Sequence, residues 1–319
     1  MGIRSRGWGQ SYLGESRKGV SVTLGGAQGA DPAFGGDWTR EKLRILEAYL
    51  DSYTTALKNT SFQLVYVDAF AGTGRIMRDS GPGYETDESD SRSLILGSAG
   101  RALRVNDRAF DRLVFVERDP GRYRQLNQLC DLHGDRKILP LRDDANAYLR
   151  GLRKSEFGNW RGVLFADPFG VQLEWATVRH IAKLERLDMW LLCPVGAIGR
   201  MLPRFRNPDE VQPRWPDRLN AVFGGDHWRQ LYSPSPQQSL FGGEMVEREQ
   251  GVAGLLSIYK DQLKEAFGPR FLKDSCTLTN SKNSPLFEFI FCAGHRNGAA
   301  IAKRIARHLI RDISSPAVP

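Results

Sequence analysis

Four acidic residues stand where short apolar runs end. Asp68 follows LVYV, Glu117 follows RLVFV, Asp144 lies in the RDDAN after KILPL, and Asp167 follows GVLFA. A carboxylate in such a place can attract a cation, accept hydrogen bonds or hold a proton. One alone is commonplace, because Asp and Glu often cap the helix that comes next. In an open parallel sheet, however, ligands bind just beyond the carboxyl ends of the strands, so four acids at four such ends would line one crevice. The stretch from Asp68 through Phe70, Ala71, Gly72 and Gly74 adds a tight turn, whose glycines let the backbone bend sharply and lie close to a ligand. A dinucleotide-binding turn would hold a pyrophosphate there. Asp68 would repel that anion, and the third glycine of the dinucleotide fingerprint is missing. A cationic ligand suits the turn better. S-adenosyl-L-methionine carries a sulfonium and an ammonium, and each acid has a task on it. Asp68 and the glycine-turn backbone face its methionine end, Glu117 accepts from the ribose hydroxyls, and Asp144, with the Ala145 amide beside it, accepts from the adenine amino group.

These acids need a sheet to hold them, and the pattern of the chain supplies one. Leu43, Leu46, Leu50, Tyr53 and Leu57 recur at three- and four-residue spacing, which predicts an amphipathic helix capped by Asp37 or Thr39. Strands then alternate with helices: a strand to Asp68, a helix over 98–105, RLVFV, a helix opened by Pro120, KILPL, GVLFA, the helix LEWATVRHIAKL, and the strand DMWLLC. Such alternation predicts an α/β fold with a mostly parallel sheet and helices on both faces. Helical spacing resumes at VAGLLSIYKDQLKEAF. Strands near 276–279 and 286–291, split by NSKNS, then read as an antiparallel hairpin, and a last helix is expected to bury Ile301, Ile305 and Leu309. Four regions result: a flexible or loosely docked arm over 1–37, a core over 38–202, a proline-rich insertion over 203–250, and a completion of the sheet over 251–319.

The composition fits a soluble globular chain: 319 residues, 41% hydrophobic and 26% charged, with no apolar run near the roughly 20 residues that span a bilayer. The opening MGIRSRGWGQ lacks the apolar segment of a secretion signal, so a cytoplasmic location is expected. Cys130, Cys193, Cys276 and Cys292 are far apart and the five histidines are scattered, which predicts no metal site and no disulfide set. A net charge of +8 is compatible with a polyanionic partner. Its basic groups gather over 200–218 and on the last helix, where Arg304 and Arg307 are the candidates for nucleic acid contact.

Asp68-x-Phe70-x-Gly72-x-Gly74 resembles the first motif of Rossmann-like methyltransferases, and a parallel sheet ending in an antiparallel hairpin strand is the arrangement that resemblance implies. Asp167, Pro168 and Phe169, in D-P-F-G, resemble the acceptor motif of methyltransferases that act on exocyclic amines of nucleobases, and in particular of those that dimethylate a guanine amine in tRNA. The resemblance implies that Asp167 accepts from the amine while the Phe169 ring stacks on the base. A thiolate mechanism through Cys193 fits poorly, because Cys193-Pro194 reverses the usual order and follows the wrong strand.

Taken in order, WTREKLRILEAYL, YVDAFAGTGR, LGSAGRAL, FVERD, DDANAYL, FADPFGVQLEWATVRHIA and DMWLLCPVGAIGRML are similar to the three-Cys-motif partner proteins, from about Trp38 to Leu202 and more loosely through FIFCAGHRNGAAIAKRI. That family is methyltransferase-like and is encoded beside a cysteine-motif protein, which implies a neighbouring protein as partner. Gly97-Ser98-Ala99 departs from the family, which usually has proline third, and so does the long glycine-rich arm. The reading that follows is an S-adenosylmethionine-dependent methyltransferase acting on a nucleic acid amine. The alternatives are a catalytically silent, cofactor-binding partner of a neighbouring protein, or a methyltransferase on a small molecule or peptide.

Overall fold

Val65 and Val67 point to one face of their strand, Leu64 and Tyr66 point to the other, and all four are fully buried. A strand buried on both faces needs a layer on each side, and the chain builds both. The computed structural model describes residues 37–76, 95–205, 208–234 and 246–314. The arm expected over 1–37 (Asp37 apart) lies outside the described residues, as do residues 77–94 and parts of the 203–250 segment.

Seven strands form the main sheet: β1 (Gln63–Asp68), β2 (Arg112–Val116), β3 (Ile138–Leu141), β4 (Trp160–Ala166), β5 (Leu187–Cys193), β6 (Phe271–Thr279) and β7 (Pro285–Cys292). Their order across the sheet is β6-β7-β5-β4-β1-β2-β3. β1 to β5 run parallel, whereas β7 is antiparallel to both β5 and β6. The chain therefore reverses direction of growth between β1 and β4. That switch point is where an open α/β sheet offers its crevice. Strand order, parallel core and antiparallel hairpin strand together make this an α/β Rossmann-like methyltransferase fold.

The helices divide between the two faces. One face buries Leu64, Tyr66, Leu113, Phe115, Phe165 and Trp190 under α1 (Asp37–Ala56), α2 (Ser98–Leu103), α3 (Pro120–Asp131) and the last helix, Ala299–Ser314. The other buries Val65, Val67, Val114, Leu164 and Leu191 under α4 (Ala145–Gly151), α5 (Trp175–Leu184), α6 (Val195–Met201), α7 (Trp215–Phe223) and α8 (Val252–Phe267). Leu219, Phe223, Trp228 and Leu231, from the proline-rich segment, belong to that second cluster, so the described part of the segment packs into the core.

Two details differ from the expectations above. The last helix, α9 (Ala299–Ser314), buries Ala299, Ala302, Ala306 and Ile310, while Ile301 is 50% exposed and Ile305 and Leu309 are only partly covered. Small side chains let α9 approach α1 and β6 closely, and this outweighs the preference for burying the larger isoleucine. The first helix also starts at Asp37, which leaves Thr39 buried inside its first turn.

α1 is pinned at its middle by a buried polar contact. Tyr49 donates its hydroxyl to Asp188 Oδ2 at 2.6 Å, and the Gly294 amide donates to Oδ1 at 2.5 Å. Burial pushes the Asp188 carboxyl up to about 6, against the pull of those two donors. The folded protein thus holds a proton there that the unfolded chain releases, a contribution present below about pH 4 and lost as pH rises through 6. Tyr49→Phe should cost about 1–3 kcal/mol. The loss should be larger at pH 8 than at pH 5, because the hydroxyl serves the ionised carboxylate. Urea unfolding at the two pH values checks this, and equal losses would contradict it.

Candidate active site

Asp68 ends β1 in register with Phe115 of β2 and Phe165 of β4, and no part of it reaches solvent. Tyr66, two residues earlier and on the same face, donates to Oδ2 at 3.4 Å, and the Phe70 amide donates to Oδ1 at 3.4 Å. The Ser98 hydroxyl, in the first turn of α2, is a third donor. Burial nonetheless raises the carboxyl to about 7, with help from the charge of nearby Asp167. The donors hold this acid in place and the surroundings disfavour its charge. It gains most from a cation.

The turn after Asp68 is strapped to its neighbours through its backbone. The Ala71 amide donates to the Val116 carbonyl at 2.9 Å, the Gly74 amide to Ala71 at 3.1 Å, and the Gly97 amide to Gly74 at 3.1 Å. Its two glycines do different work. Gly72 has φ +59°, and among the described residues a Cβ there would meet nothing within 4 Å, which leaves space that a ligand can fill. Gly74 has φ +72°, and a Cβ there would lie 2.5 Å from Leu129 Cδ2 of α3. Packing against α3 therefore requires a glycine at position 74, whatever its backbone meets.

Glu117 follows β2 and is nearly buried. Its Oε1 accepts the Asp119 amide at 2.7 Å, with Arg122 Nε at 3.5 Å. Asp119 caps α3, accepting from the Gly121 and Arg122 amides at 2.9 and 2.8 Å, and so relieves Glu117 of capping. Asp144 is different: it caps α4 itself, accepting the Ala147 amide at 3.1 Å, and Arg118 stands 3.6 Å from it. The commonplace use of a strand-end acid applies to Asp144 in part. Ala145 beside it is buried.

Asp167 follows β4. Lys42 of α1 reaches it across 125 residues of sequence, with Nζ 2.5 Å from Oδ2. The lysine side chain is 8% exposed and the aspartate 24%. The ammonium also lies 4.8 Å from the Trp38 ring centroid, and Trp38 in turn packs 4.9 Å from the Phe287 ring. Pro168 is buried behind Asp167, and Phe169 projects at 48% exposed. The loop after it is held by Asn146, which donates to the Gln172 carbonyl at 2.8 Å and accepts from the Glu174 amide and the Thr177 hydroxyl at 3.0 and 2.9 Å.

Lys42 and Asn146 escaped the sequence reading. Thr39, Lys42, Leu46, Tyr49 and Tyr53 fall on one buried helical stripe, so a lysine on the face meant for the core was the available signal. Cys193 is fully buried and its thiol is pushed up to about 12 by burial, which agrees with setting aside a nucleophilic role. On α9, Arg307 Nε lies 3.2 Å from Asp274 and Arg311 pairs with the same acid, whereas Arg304 is exposed.

No family model matches the chain, and no curated protein matches it. Among solved structures it is similar to Trm1 from Pyrococcus horikoshii in complex with S-adenosyl-L-methionine, at 12% identity and a TM-score of 0.41 over 86% of this chain and 60% of that one. It is also similar to the Legionella pneumophila protein LPL1258 (14% identity, TM-score 0.39, 73% of this chain and 95% of that one). A third likeness is to the methyltransferase domain of bacterial CtHen1 (11% identity, TM-score 0.35, 78% and 99%). None of these bears on what the present chain binds or transforms.

The described residues fit S-adenosylmethionine: open space over Gly72, a buried acid poised for a cation, and Glu117 with one oxygen engaged and the other available to hydroxyls. Because Asp68 must ionise to meet a cation, affinity should rise with pH through about 7. Asp68→Asn should weaken binding by about 1–3 kcal/mol and flatten that dependence. Calorimetric titrations between pH 6 and 8 in which the two proteins bind alike would remove Asp68 from the site.

Proposed function

We propose that the protein is an S-adenosylmethionine-dependent methyltransferase acting on an exocyclic amine of a nucleic acid base. The observation that carries this reading is the pairing, at the open end of β4, of an acceptor carboxylate with an exposed aromatic ring: Asp167 beside Phe169, next to the Asp68 crevice. When bound, the cofactor supplies a methyl group made electrophilic by a positively charged sulfur.

The chain's own residues would do the rest. Asp68 draws the cationic end into the crevice, and Glu117 accepts from the ribose. Asp144 and Ala145 border the adenine end. Phe169 offers a face on which a flipped or single-stranded base stacks. Asp167 accepts a hydrogen bond from the amine. That bond keeps the nitrogen lone pair out of the ring and aimed at the crevice, and gives the departing proton an acceptor on its way to water. Such preorganised polar groups act mainly on the transition state. Arg304, exposed on α9, is the candidate phosphate contact; Arg307 is partly neutralised by Asp274. The resemblance of the motif order to that of the three-Cys-motif partner proteins is the support for a neighbouring cysteine-motif protein as partner.

The test is transfer of a tritiated methyl group to total nucleic acid. Asp167→Ala should lower kcat roughly 10²-fold or more while cofactor affinity holds. Phe169→Ala should mainly weaken acceptor binding, by about 1–3 kcal/mol. Undiminished transfer by Asp167→Ala would reduce D-P-F-G to a strand end. Acceptor affinity should also fall steeply with salt, less so in Arg304→Glu, as counterion release requires. A flat salt response would turn the reading toward a small-molecule or peptide acceptor.

A further inference from the structure

Lys42 is an ammonium where the fold calls for apolar packing. Its neighbours on the stripe, Leu46, Tyr49 and Tyr53, are core residues, and Lys42 itself is 6% exposed. Ordering and burying a lysine is costly, and only a well-placed partner offsets it. The partner is Asp167 Oδ2, at 2.5 Å. Among the described residues nothing else bonds to Asp167, so its second oxygen, Oδ1, is left for a ligand.

We propose that Lys42 is the positioning residue of the acceptor carboxylate: by engaging Oδ2 it fixes the orientation of Asp167 and offsets its charge beside Asp68, leaving Oδ1 to receive the hydrogen bond of the acceptor amine. The proposal rests on the reading of Asp167 above. Trp38 backs the ammonium and Phe287 backs Trp38, so the lysine is packed on the side away from the acid. A carboxylate held at one oxygen by a rigid donor loses the rotation that would otherwise blur its aim, and small misplacements near reacting atoms are costly in rate.

The arrangement also bears on Asp68. The groups facing that carboxylate are Tyr66 of β1, Ser98 of α2, the Phe70 amide and Asp167 beyond β4, with Lys42 of α1 behind Asp167. Asp167 is the only other acid among them. Removing the ammonium leaves its charge unopposed, which would push the ionisation of Asp68 higher than the value of about 7 it has beside the intact pair.

Two readouts test this. In Lys42→Met, the pH midpoint for cofactor affinity should move up by about one unit, and kcat for methyl transfer should fall roughly 10²-fold. Lys42→Arg should restore the midpoint and part of kcat. Adding Asp167→Asn to Lys42→Met removes the unopposed charge and should return the midpoint to the wild-type value or below it, which also guards against a single variant that folds poorly. A lysine that merely anchors α1 would lower thermal stability without moving the midpoint. Folded Lys42→Met with unchanged midpoint and kcat would overturn the role of Lys42 and leave the proposed reaction standing. Absence of transfer to any nucleic acid by cofactor-bound wild type would overturn the reaction, and a shifted midpoint would still support the hold of Lys42 on Asp167.

Discussion

Negative charge is crowded at one edge of this sheet, and much of the surrounding structure answers to it. Taking a carboxylate out of water costs several kcal/mol unless it is paired, hydrogen-bonded or protonated. Each of the four acids meets that demand differently. Asp144 spends an oxygen on capping α4 and stands near Arg118. Glu117 takes the Asp119 amide and Arg122. Asp167 takes Lys42. Asp68 has donors but, among the described residues, no cation, and its burial favours a proton instead. The crevice is therefore one positive charge short in the place where a glycine turn leaves room for a ligand.

The same constraint explains why α1 belongs to the site although it precedes the first strand. Lys42 engages the crevice end of β4, and seven residues on, about 10 Å along the axis, Tyr49 holds the buried carboxylate at the start of β5. Between these polar anchors the buried side chains, Leu43, Ile45 and Leu46, are apolar, and Tyr49 itself packs on Trp190 and Phe291, with ring centroids 5.3 and 5.1 Å from theirs. A helix fixed at two heights on the sheet delivers an ammonium to a defined point. One fixed by apolar contact alone would be freer to slide.

What the sequence disclosed follows the range of the interactions involved. The strands of the parallel core, the hairpin and the four strand-end acids were legible because burial periodicity and strand ends are local features. Glu117 and Asp144 share a residue class and a position, yet only the structure separates them: Asp119 relieves one of capping, and nothing relieves the other. The Lys42–Asp167 pair spans 125 residues and Asn146 reaches the loop and first turn of α5, 26 to 31 residues away, contacts that no local pattern encodes. α9 was read with the wrong seam because close approach favoured Ala302 and Ala306 over Ile301. Gly72 and Gly74 likewise differ only in what lies above each among the described residues, nothing within 4 Å in one case and Leu129 in the other.

The central claim is that the crevice binds a cation in exchange for a proton on Asp68. Calorimetric titration with S-adenosylmethionine at pH 7, in buffers of different ionisation enthalpy, measures that exchange directly. An acid raised to about 7 that ionises on binding should release roughly half a proton per site, and Asp68→Asn should abolish the release. Binding by the wild type with no proton released, or with a proton taken up, would contradict the account.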